Sequence, residues 1–168
     1  MPVDRIGSIV YLLEAGNVER CHTTPHHGSY TVASHSWRML TLLFKLHPSP
    51  GVDLIKAVQF HDVGERVYGD VPAYCNDHGE LEQHIRRKVF VDVSLDKEDQ
   101  QWLYCLDKLE LFLWCRDQIA MGNRNVEPIL EEMKTLLSRT LFEETMPGDV
   151  IHYWITLCPW YRFRVGDL

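Results

Sequence analysis

Apolar residues recur every three or four positions along most of the chain, which is the spacing at which side chains share one face of an α-helix. The first series consists of Ile6, Ile9, Val10 and Leu13, and Gly16 follows it as a C-terminal stop signal. The strict alternation of apolar and polar residues that indicates half-buried strands does not occur. The pattern therefore predicts an all-α fold, a bundle of about seven packed helices.

Stop and cap signals divide the rest of the chain into six further predicted helices. Their predicted bounds are Val32–Leu46, 52–63, 80–91, 96–121, 126–145 and 149–157. Asp96 is expected to cap the longest of these helices and Gly122 to end it. The segment 64–79 contains three glycines and Pro72, so we interpret it as a loop with at most one short helical turn. The first of these six helices is expected to bury Met39, Leu40, Leu43 and Phe44.

The length of 168 residues and the hydrophobic content of 45% predict one domain spanning residues 1–168. A net charge of -7 argues against a nucleic acid polymer as the main partner, because phosphate-neutralising basic surface is scarce. The five cysteines include no Cys-x-x-Cys pair, so neither a disulfide framework nor a zinc-thiolate site is indicated. Without a secretion signal or a long apolar run, we expect a cytoplasmic protein that binds a small charged ligand and no membrane.

Histidines and carboxylates lie where three of the predicted helices are expected to converge. His61 and Asp62 end the 52–63 helix, His35 lies on Val32–Leu46, and Asp107 lies on the long helix. Two imidazoles and two carboxylates suit a catalytic divalent ion better than structural zinc or calcium, and such an ion lowers the pKa of a bound water. Glu65 shares a helix face with His61 and Asp62. The alternative interpretation makes both histidines interior residues with backbone partners.

The string from Phe60 to Pro72, FHDVGERVYGDVP, resembles the signature of the HD-domain phosphohydrolases. It is most similar to the branch that contains bacterial 5'-deoxynucleotidases and phage dATP triphosphohydrolases. The similarity extends, in the same order along the chain, to Arg20, His35-Ser36, Leu81-Glu82, Asp107 and Gly122-Asn123. Most of residues 5–135 can be aligned with that family. The resemblance implies an all-α HD-domain fold and hydrolysis of a nucleotide phosphate ester.

The resemblance also implies a role for each matching residue. It implies that one divalent ion, Mn, Co, Zn or Mg, is held by His35, His61, Asp62 and Asp107. Glu65 would help to activate the attacking water, as a carboxylate within hydrogen-bond reach can accept its proton. The alternative for Glu65 is a solvated charge on a loop.

Two further residues receive substrate-binding roles from the same resemblance. Arg20 would bind phosphate, to which a guanidinium can donate two parallel hydrogen bonds. Asp70 would contact the sugar 3'-hydroxyl, for which an anionic acceptor is better suited than for phosphate. The alternatives are a helix-flanking surface cation for Arg20 and a turn or capping aspartate for Asp70.

The sequence departs from the family pattern around the substrate. Cys21 stands where relatives carry an aromatic residue that stacks on the base, so His22, Tyr30 or a tryptophan would have to bind the base instead. Lysines that relatives use near phosphate are replaced here: the corresponding residues are Asn76 and Tyr104. These losses argue against a triphosphate substrate unless cations such as Arg66, Lys88 or Lys108, or a neighbouring subunit, compensate. The short segment between Asp62 and Asp107 nevertheless resembles the phage branch.

Several other features have a structural and a functional interpretation. The loop 22–28 contains three histidines and fits a solvated loop better than a second metal site or a mobile pocket wall. His78 and His84 would be available to a second metal, although His84 is more simply explained as solvent-exposed. The large apolar residues of the long helix fit the core or a subunit contact: Trp102, Phe112, Leu113 and Trp114. The C-terminal aromatic residues either pack on the domain or form a docking patch: Trp154, Trp160, Tyr161 and Phe163.

These observations together predict an enzyme that hydrolyses a deoxynucleoside 5'-monophosphate to deoxynucleoside and phosphate. The first alternative is a triphosphohydrolase that releases tripolyphosphate from a deoxynucleoside triphosphate. The second alternative is a non-catalytic nucleotide-binding protein with the same fold. The predicted partners are a deoxynucleotide and further copies of the chain in a homo-oligomer.

Overall fold

The computed structural model describes residues 6–70 and 79–158, and most of these residues are helical. Eight helices occur in this part of the chain: α1 Gly7–Ala15, α2 Val32–Leu46, α3 Val52–Phe60, α4 Glu65–Tyr68, α5 Gly79–Lys88, α6 Lys97–Ala120, α7 Glu127–Phe142 and α8 Gly148–Leu157. The described residues contain no strand, only an isolated antiparallel bridge between Glu19 and Thr31. The all-α fold is confirmed, and α4 is the short turn expected within the loop.

Local capping signals explain why the helices begin and end close to their predicted bounds. The Thr31 side chain accepts a hydrogen bond from the Ser34 N–H at 3.2 Å, and the Ser34 hydroxyl accepts one from the Thr31 N–H at 2.9 Å. This capping box begins α2 at the predicted residue. Asp96 caps α6 as predicted, since its carboxylate accepts from the Asp99 N–H at 2.8 Å. Gly122 follows α6 with φ +90°, a conformation that glycine adopts without strain.

Helix α6 lies at the centre of the fold, where it packs against α7, α2 and α3. Its aromatic residues Trp102, Phe112 and Trp114 are buried in the main core, which supports the core interpretation for all three. Trp154 of α8 is fully buried and packs edge-on against Phe112, with ring centroids 4.9 Å apart. Trp154 is therefore a core residue, whereas Trp160, Tyr161 and Phe163 lie outside the described residues. No described helix combines the length and the apolar character that spanning a membrane requires.

The orientation of α1 differs from that of an ordinary amphipathic helix. Its apolar stripe points away from the protein, because Ile6, Ile9, Val10 and Leu13 are each more than half exposed. The opposite side of α1 supplies a small second cluster, in which Ala15 is buried against other residues: Val63, Val89 and Val91, with Tyr11, Leu12 and Phe60 at its edge. The helical period was correct, but it could not indicate which face the rest of the chain would cover.

Helix α2 shows the same distinction between two neighbouring residues. Met39 and Leu43 are fully buried as predicted, but Phe44 is 57% exposed, so its predicted burial was wrong. One step along a helix turns a side chain by about 100°, and Phe44 thereby leaves the face that packs on α3 and α6.

The exposure of this adjacent pair leads to a stability prediction. Leu43→Ala is expected to lower the free energy of unfolding by about 2–5 kcal/mol, because it leaves a cavity in the core. Phe44→Ala, one residue along the same helix, removes a larger but mostly exposed side chain and should change it by about 0.5 kcal/mol or less. Urea denaturation of the two variants and the wild type measures both effects. Equal losses would contradict the orientation of α2 described above.

Candidate functional site

The convergence of α2, α3 and α6 brings together four predicted metal ligands from distant parts of the sequence. His35 lies on α2, His61 and Asp62 directly follow α3, and Asp107 lies on α6. The Nε2 atom of His35 is 3.3 Å from Nε2 of His61 and 3.3 Å from Oδ1 of Asp107. Oδ2 of Asp62 is 3.2 Å from Nε2 of His61 and 3.7 Å from Nε2 of His35. The donor atoms of His35, His61 and Asp107 thus lie around a common point, and Oδ2 of Asp62 lies beside the two histidines.

These separations match the geometry of ligands around one ion. Donors at right angles around an ion at about 2.1 Å lie about 3 Å apart, and opposite donors lie about 4.2 Å apart. The ligand atoms of His35, His61 and Asp107 all lie within 4.8 Å of one another. Asp62 lies beside this group of three, on the side where its Oδ2 also contacts Arg20. The donor set fits a divalent ion that retains open positions for water or substrate oxygens.

Both histidines direct the same ring nitrogen towards this point. The Nδ1–H of His61 donates to the carbonyl oxygen of Val58 at 3.1 Å, and a carbonyl can only accept. Nδ1 of His35 lies 2.5 Å from a carboxylate oxygen of Glu110, to which its N–H donates. In the neutral form of each ring, Nε2 therefore keeps the lone pair that a metal ligand requires. Sequence reasoning missed Glu110, although a charged residue between Leu109 and Leu111, three positions after Asp107, was a usable signal.

The charges in the cluster keep both carboxylates ionised. Burial raises the pKa of Asp62, but the nearby His61 and Arg20 outweigh it and hold that pKa well below its usual range. Burial likewise raises the pKa of Asp107, which Lys108 and His35 lower far more. Oδ2 of Asp107 is 2.7 Å from Nζ of Lys108, so Oδ1 remains directed towards His35. Ionised carboxylates are the form that binds a cation.

Arg20 and Glu65 adjoin the four ligands. Arg20 is buried, its guanidinium contacts Asp62, and it lies 3.5 Å from Oε1 of Glu65 and 4.0 Å from Asp107. It is therefore not the surface cation of the alternative interpretation. Glu65, the first residue of α4, is 8% exposed, which also excludes a solvated loop charge. Burial, together with the charge of Asp62, raises the pKa of Glu65 to about 9.

Asp70 meets Cys21 and His22 at one edge of the site. Oδ2 of Asp70 accepts a hydrogen bond from the Cys21 N–H at 2.7 Å and lies 3.9 Å from Nδ1 of His22. Cys21 has φ +52°, an uncommon conformation for a residue other than glycine, which turns the chain sharply after Arg20. Burial and the charge of Asp70 raise the pKa of the Cys21 thiol to about 12, which disfavours the thiolate form that a nucleophilic cysteine uses. His22 is exposed and accessible to a ligand.

The loop 22–28 is largely exposed, as expected, but the end of α6 holds it in place. The side chain of Gln118 accepts from the His27 N–H at 2.8 Å and donates to the His27 carbonyl at 2.9 Å. Asn123 donates to the Pro25 carbonyl at 2.9 Å. Sequence reasoning missed the role of Gln118. Among the described residues, the loop histidines take part in no cluster of three or more metal ligands, so no second metal site appears there.

Few cations reach the site within the described part of the chain. The Lys108 ammonium lies between Asp107 and the Tyr104 ring, 5.5 Å from the ring centroid. It is therefore close to Tyr104, the position at which the sequence comparison expected a lysine in relatives. Arg66 contacts Glu14 instead of the site. Arg86 of α5 donates to the His61 carbonyl at 3.1 Å. Lys88 and His84 are exposed on α5, while Asn76 and His78 lie outside the described residues.

Comparisons with known proteins place these residues in a family context. A family model described as an HD domain matches residues 17–108, more than half of the chain and the whole ligand cluster. A conserved hypothetical protein from Pyrococcus furiosus has a similar structure, with a TM-score of 0.60 and 21% identity over 83% of this chain and 98% of that one. An HD-domain phosphohydrolase from Listeria innocua gives a TM-score of 0.59 and 17% identity over 90% of this chain and 85% of that one. At these identities the likeness concerns the fold. No curated protein matches the sequence.

Proposed function

Since the chain belongs to the HD domain family, we propose that it is a metal-dependent phosphohydrolase that cleaves the 5'-phosphate ester of a deoxynucleoside monophosphate. The products would be a deoxynucleoside and inorganic phosphate. The observation that carries this proposal is the cluster of His35, His61 and Asp107, with the Asp62 carboxylate, a buried arginine and a buried glutamate beside it. The finer resemblance to 5'-deoxynucleotidases, found in the sequence, supports the choice of substrate.

The four ligands would hold one divalent ion. A bound ion would supply Lewis acidity, which lowers the pKa of a coordinated water and neutralises charge on a phosphoryl oxygen. A shell of two nitrogen and two oxygen donors suits Mn²⁺, Co²⁺ or Zn²⁺ better than an all-oxygen cation such as Ca²⁺. We therefore propose that the ion is one of these three.

Glu65 would accept the proton of the attacking water. Its buried position close to Asp62 raises the pKa of its carboxyl group, so the carboxylate form is a strong proton acceptor. The positive charge of an ion in the adjacent site would lower that pKa again, towards neutral pH, where a general base is most effective. As the water oxygen attacks phosphorus, the bond from phosphorus to the 5'-oxygen breaks, and the nucleoside leaves with a proton taken up on its 5'-oxygen from solvent.

Arg20 and Asp70 would bind the two ends of the substrate that flank the broken bond. The Arg20 guanidinium lies against the ligands, where it can donate to phosphoryl oxygens as their charge develops. Asp70 is fixed by the Cys21 N–H and can accept a hydrogen bond from a sugar hydroxyl, while its charge would repel phosphate. His22, exposed beside Asp70, would contact the base.

The balance of charge favours a monophosphate. The described cations near the site already face carboxylates: Arg20 faces Asp62 and Glu65, Lys108 faces Asp107, and Arg86 lies 3.0 Å from Glu82. A triphosphate carries more negative charge and needs more donors than these can supply. The triphosphohydrolase remains the second candidate because the short segment between Asp62 and Asp107 resembles the phage branch.

Product analysis tests the choice of substrate. Metal-stripped protein supplied with Mn²⁺ or Co²⁺ is expected to release inorganic phosphate from dAMP and no tripolyphosphate from dATP. Activity should disappear on addition of a chelator and return with excess metal. Glu65 and Arg20 are proposed to act on a water and a phosphate that need the ion to be held in place.

Each alternative has its own result in this assay. Release of tripolyphosphate from dATP, with dAMP left intact, would replace the proposal by the triphosphohydrolase. Binding of metal and dAMP without turnover of either nucleotide would support the non-catalytic alternative.

We also propose that the chain forms a homo-oligomer, for which the exposed apolar stripe of α1 offers a surface.

A further inference from the structure

Glu110 is a buried carboxylate outside the set of predicted ligands. It lies in the middle of α6 with no exposed surface, between Leu109 and Leu111. An ionised carboxylate in such a position is costly unless charged or hydrogen-bonding partners surround it. Glu110 is therefore expected to have a specific task, and its contacts indicate which one.

Three side chains contact the Glu110 carboxylate. On one oxygen, Oε2, it accepts from the Tyr30 hydroxyl and from Nδ1–H of His35, which is 2.5 Å away. On the other, Oε1, it meets Nε of Arg38 at 2.5 Å. Arg38 also donates to Asp117 at 3.1 and 3.2 Å. The guanidinium thus lies between the buried Glu110 and the exposed Asp117.

These contacts determine which groups donate and which accept. The three groups that contact the Glu110 carboxylate are all donors: the Tyr30 hydroxyl, Nδ1–H of His35 and the Arg38 guanidinium. The carboxylate is therefore the acceptor in each contact.

An anionic acceptor at Nδ1 determines the tautomer of His35. The ring proton has to lie on Nδ1, which leaves the Nε2 lone pair directed at His61 and Asp107, 3.3 Å from each. A carboxylate behind an imidazole also increases the basicity of the opposite nitrogen and fixes the orientation of the ring. The fully buried His35 cannot obtain this partner from solvent.

We propose that Glu110 is a positioning residue that sets the affinity of the site for its ion through His35, with the Tyr30 hydroxyl holding the same carboxylate oxygen in place. The inference rests on the metal site of the proposed function. It adds a residue that would touch neither the ion nor the substrate. The competing explanation is that Glu110 merely neutralises Arg38 in the interior.

Co²⁺ binding to metal-stripped protein distinguishes the two explanations. Glu110→Gln preserves the shape of the side chain and removes its charge, and we expect it to weaken Co²⁺ binding by about 10–100-fold. Arg38→Gln is the matched variant on the other side of the carboxylate, and we expect it to weaken binding by less than about threefold, because His35 keeps its partner. Calorimetry and the visible spectrum of bound Co²⁺ give the affinities, and circular dichroism checks that each variant is folded.

Every result of this experiment bears on the proposal. Wild-type affinity in Glu110→Gln, or an equal loss in Arg38→Gln, would overturn the positioning role and leave the metal site intact. Absence of Co²⁺ binding in the wild type would overturn the metal site and this role with it. If Glu110→Gln does not fold, the ¹⁵N chemical shifts of His35 in the metal-free wild type decide the question. A proton on Nδ1 supports the proposal, and a proton on Nε2 contradicts it.

Discussion

Replacement of Asp62 by asparagine is expected to remove both the bound ion and the phosphatase activity. Asparagine has the same shape, but it lacks the negative charge that lies 3.2 Å from His61 and 3.7 Å from His35 in the ligand cluster. The neutral amide is a much weaker ligand for a divalent cation. We expect kcat/KM to fall by about three orders of magnitude, which corresponds to about 4 kcal/mol of transition-state stabilisation. Metal analysis of dialysed protein and phosphate release from dAMP measure the two effects.

Asp53→Asn is the matched control for this substitution. Asp53 lies in the first turn of α3, at the opposite end of the same helix from His61 and Asp62. Its side chain is 60% exposed and its ion pair with Lys56 is 3.9 Å long, so the same chemical change should leave metal content and turnover unaltered. An Asp62→Asn enzyme that keeps one ion and full activity would exclude Asp62 from the ligand set.

The ends of the helices could be predicted because their signals are local. Thr31, Asp96 and Gly122 each act on backbone groups within a few residues, and the helix bounds near them agree with prediction to within three residues. The all-α class follows from the same short-range periodicity. Neither result needs any knowledge of how distant segments meet.

Which face of a helix is buried depends on distant segments and could not be predicted with the same success. The stripe of α1 has the period of a buried face, yet α4 and the small second cluster cover the other side. Phe44 was assigned to the core for the same reason and is exposed. A helical period gives the relative directions of side chains and leaves the rotation of the whole helix open.

The candidate site shows both situations. The sequence pattern and the family resemblance singled out His35, His61, Asp62 and Asp107, and the structure brings the donor atoms of His35, His61 and Asp107 together with Asp62 beside the histidines. Their metal binding and individual roles remain predictions. Glu110, which supports the ligand His35, could not be predicted in this way, because the two residues in contact are 75 positions apart in the sequence. A single sequence does not show which distant residues will be in contact. The charge of Glu110 between two leucines was the one local signal of its role, and it was missed.

Replacement of Glu65 by glutamine is expected to abolish most of the turnover and to leave metal binding intact. Glu65→Gln keeps the size of the side chain and removes its ability to accept a proton. We expect kcat to fall by about 10²- to 10⁴-fold, the usual contribution of a general base. The ligand atoms are unchanged, so Co²⁺ affinity and KM for dAMP should stay close to those of the wild type. Steady-state kinetics and calorimetry on the same preparations measure these quantities.

Glu132→Gln on the exposed side of α7 is the matched control and should not affect any of the three quantities. If Glu65→Gln lost its metal together with its activity, Glu65 would act as a ligand instead of a proton acceptor. If kcat were unchanged, another group would have to take the proton from water, and the proposed role would be wrong.

The same substitution has a second consequence, for the stability of the metal-free protein. The pKa of Glu65 is raised to about 9 in the folded state by burial and by Asp62, so the unfolded chain releases this proton at lower pH than the folded protein does. The wild type therefore loses stability as pH rises from the ordinary carboxyl range towards 9. Glutamine does not ionise, so metal-free Glu65→Gln should have a higher free energy of unfolding than the wild type at pH 8. The difference should shrink near pH 4, where Glu65 is largely protonated in both states. A variant that is more stable and far less active at pH 8 is the result expected of a residue kept in a costly position for its chemistry.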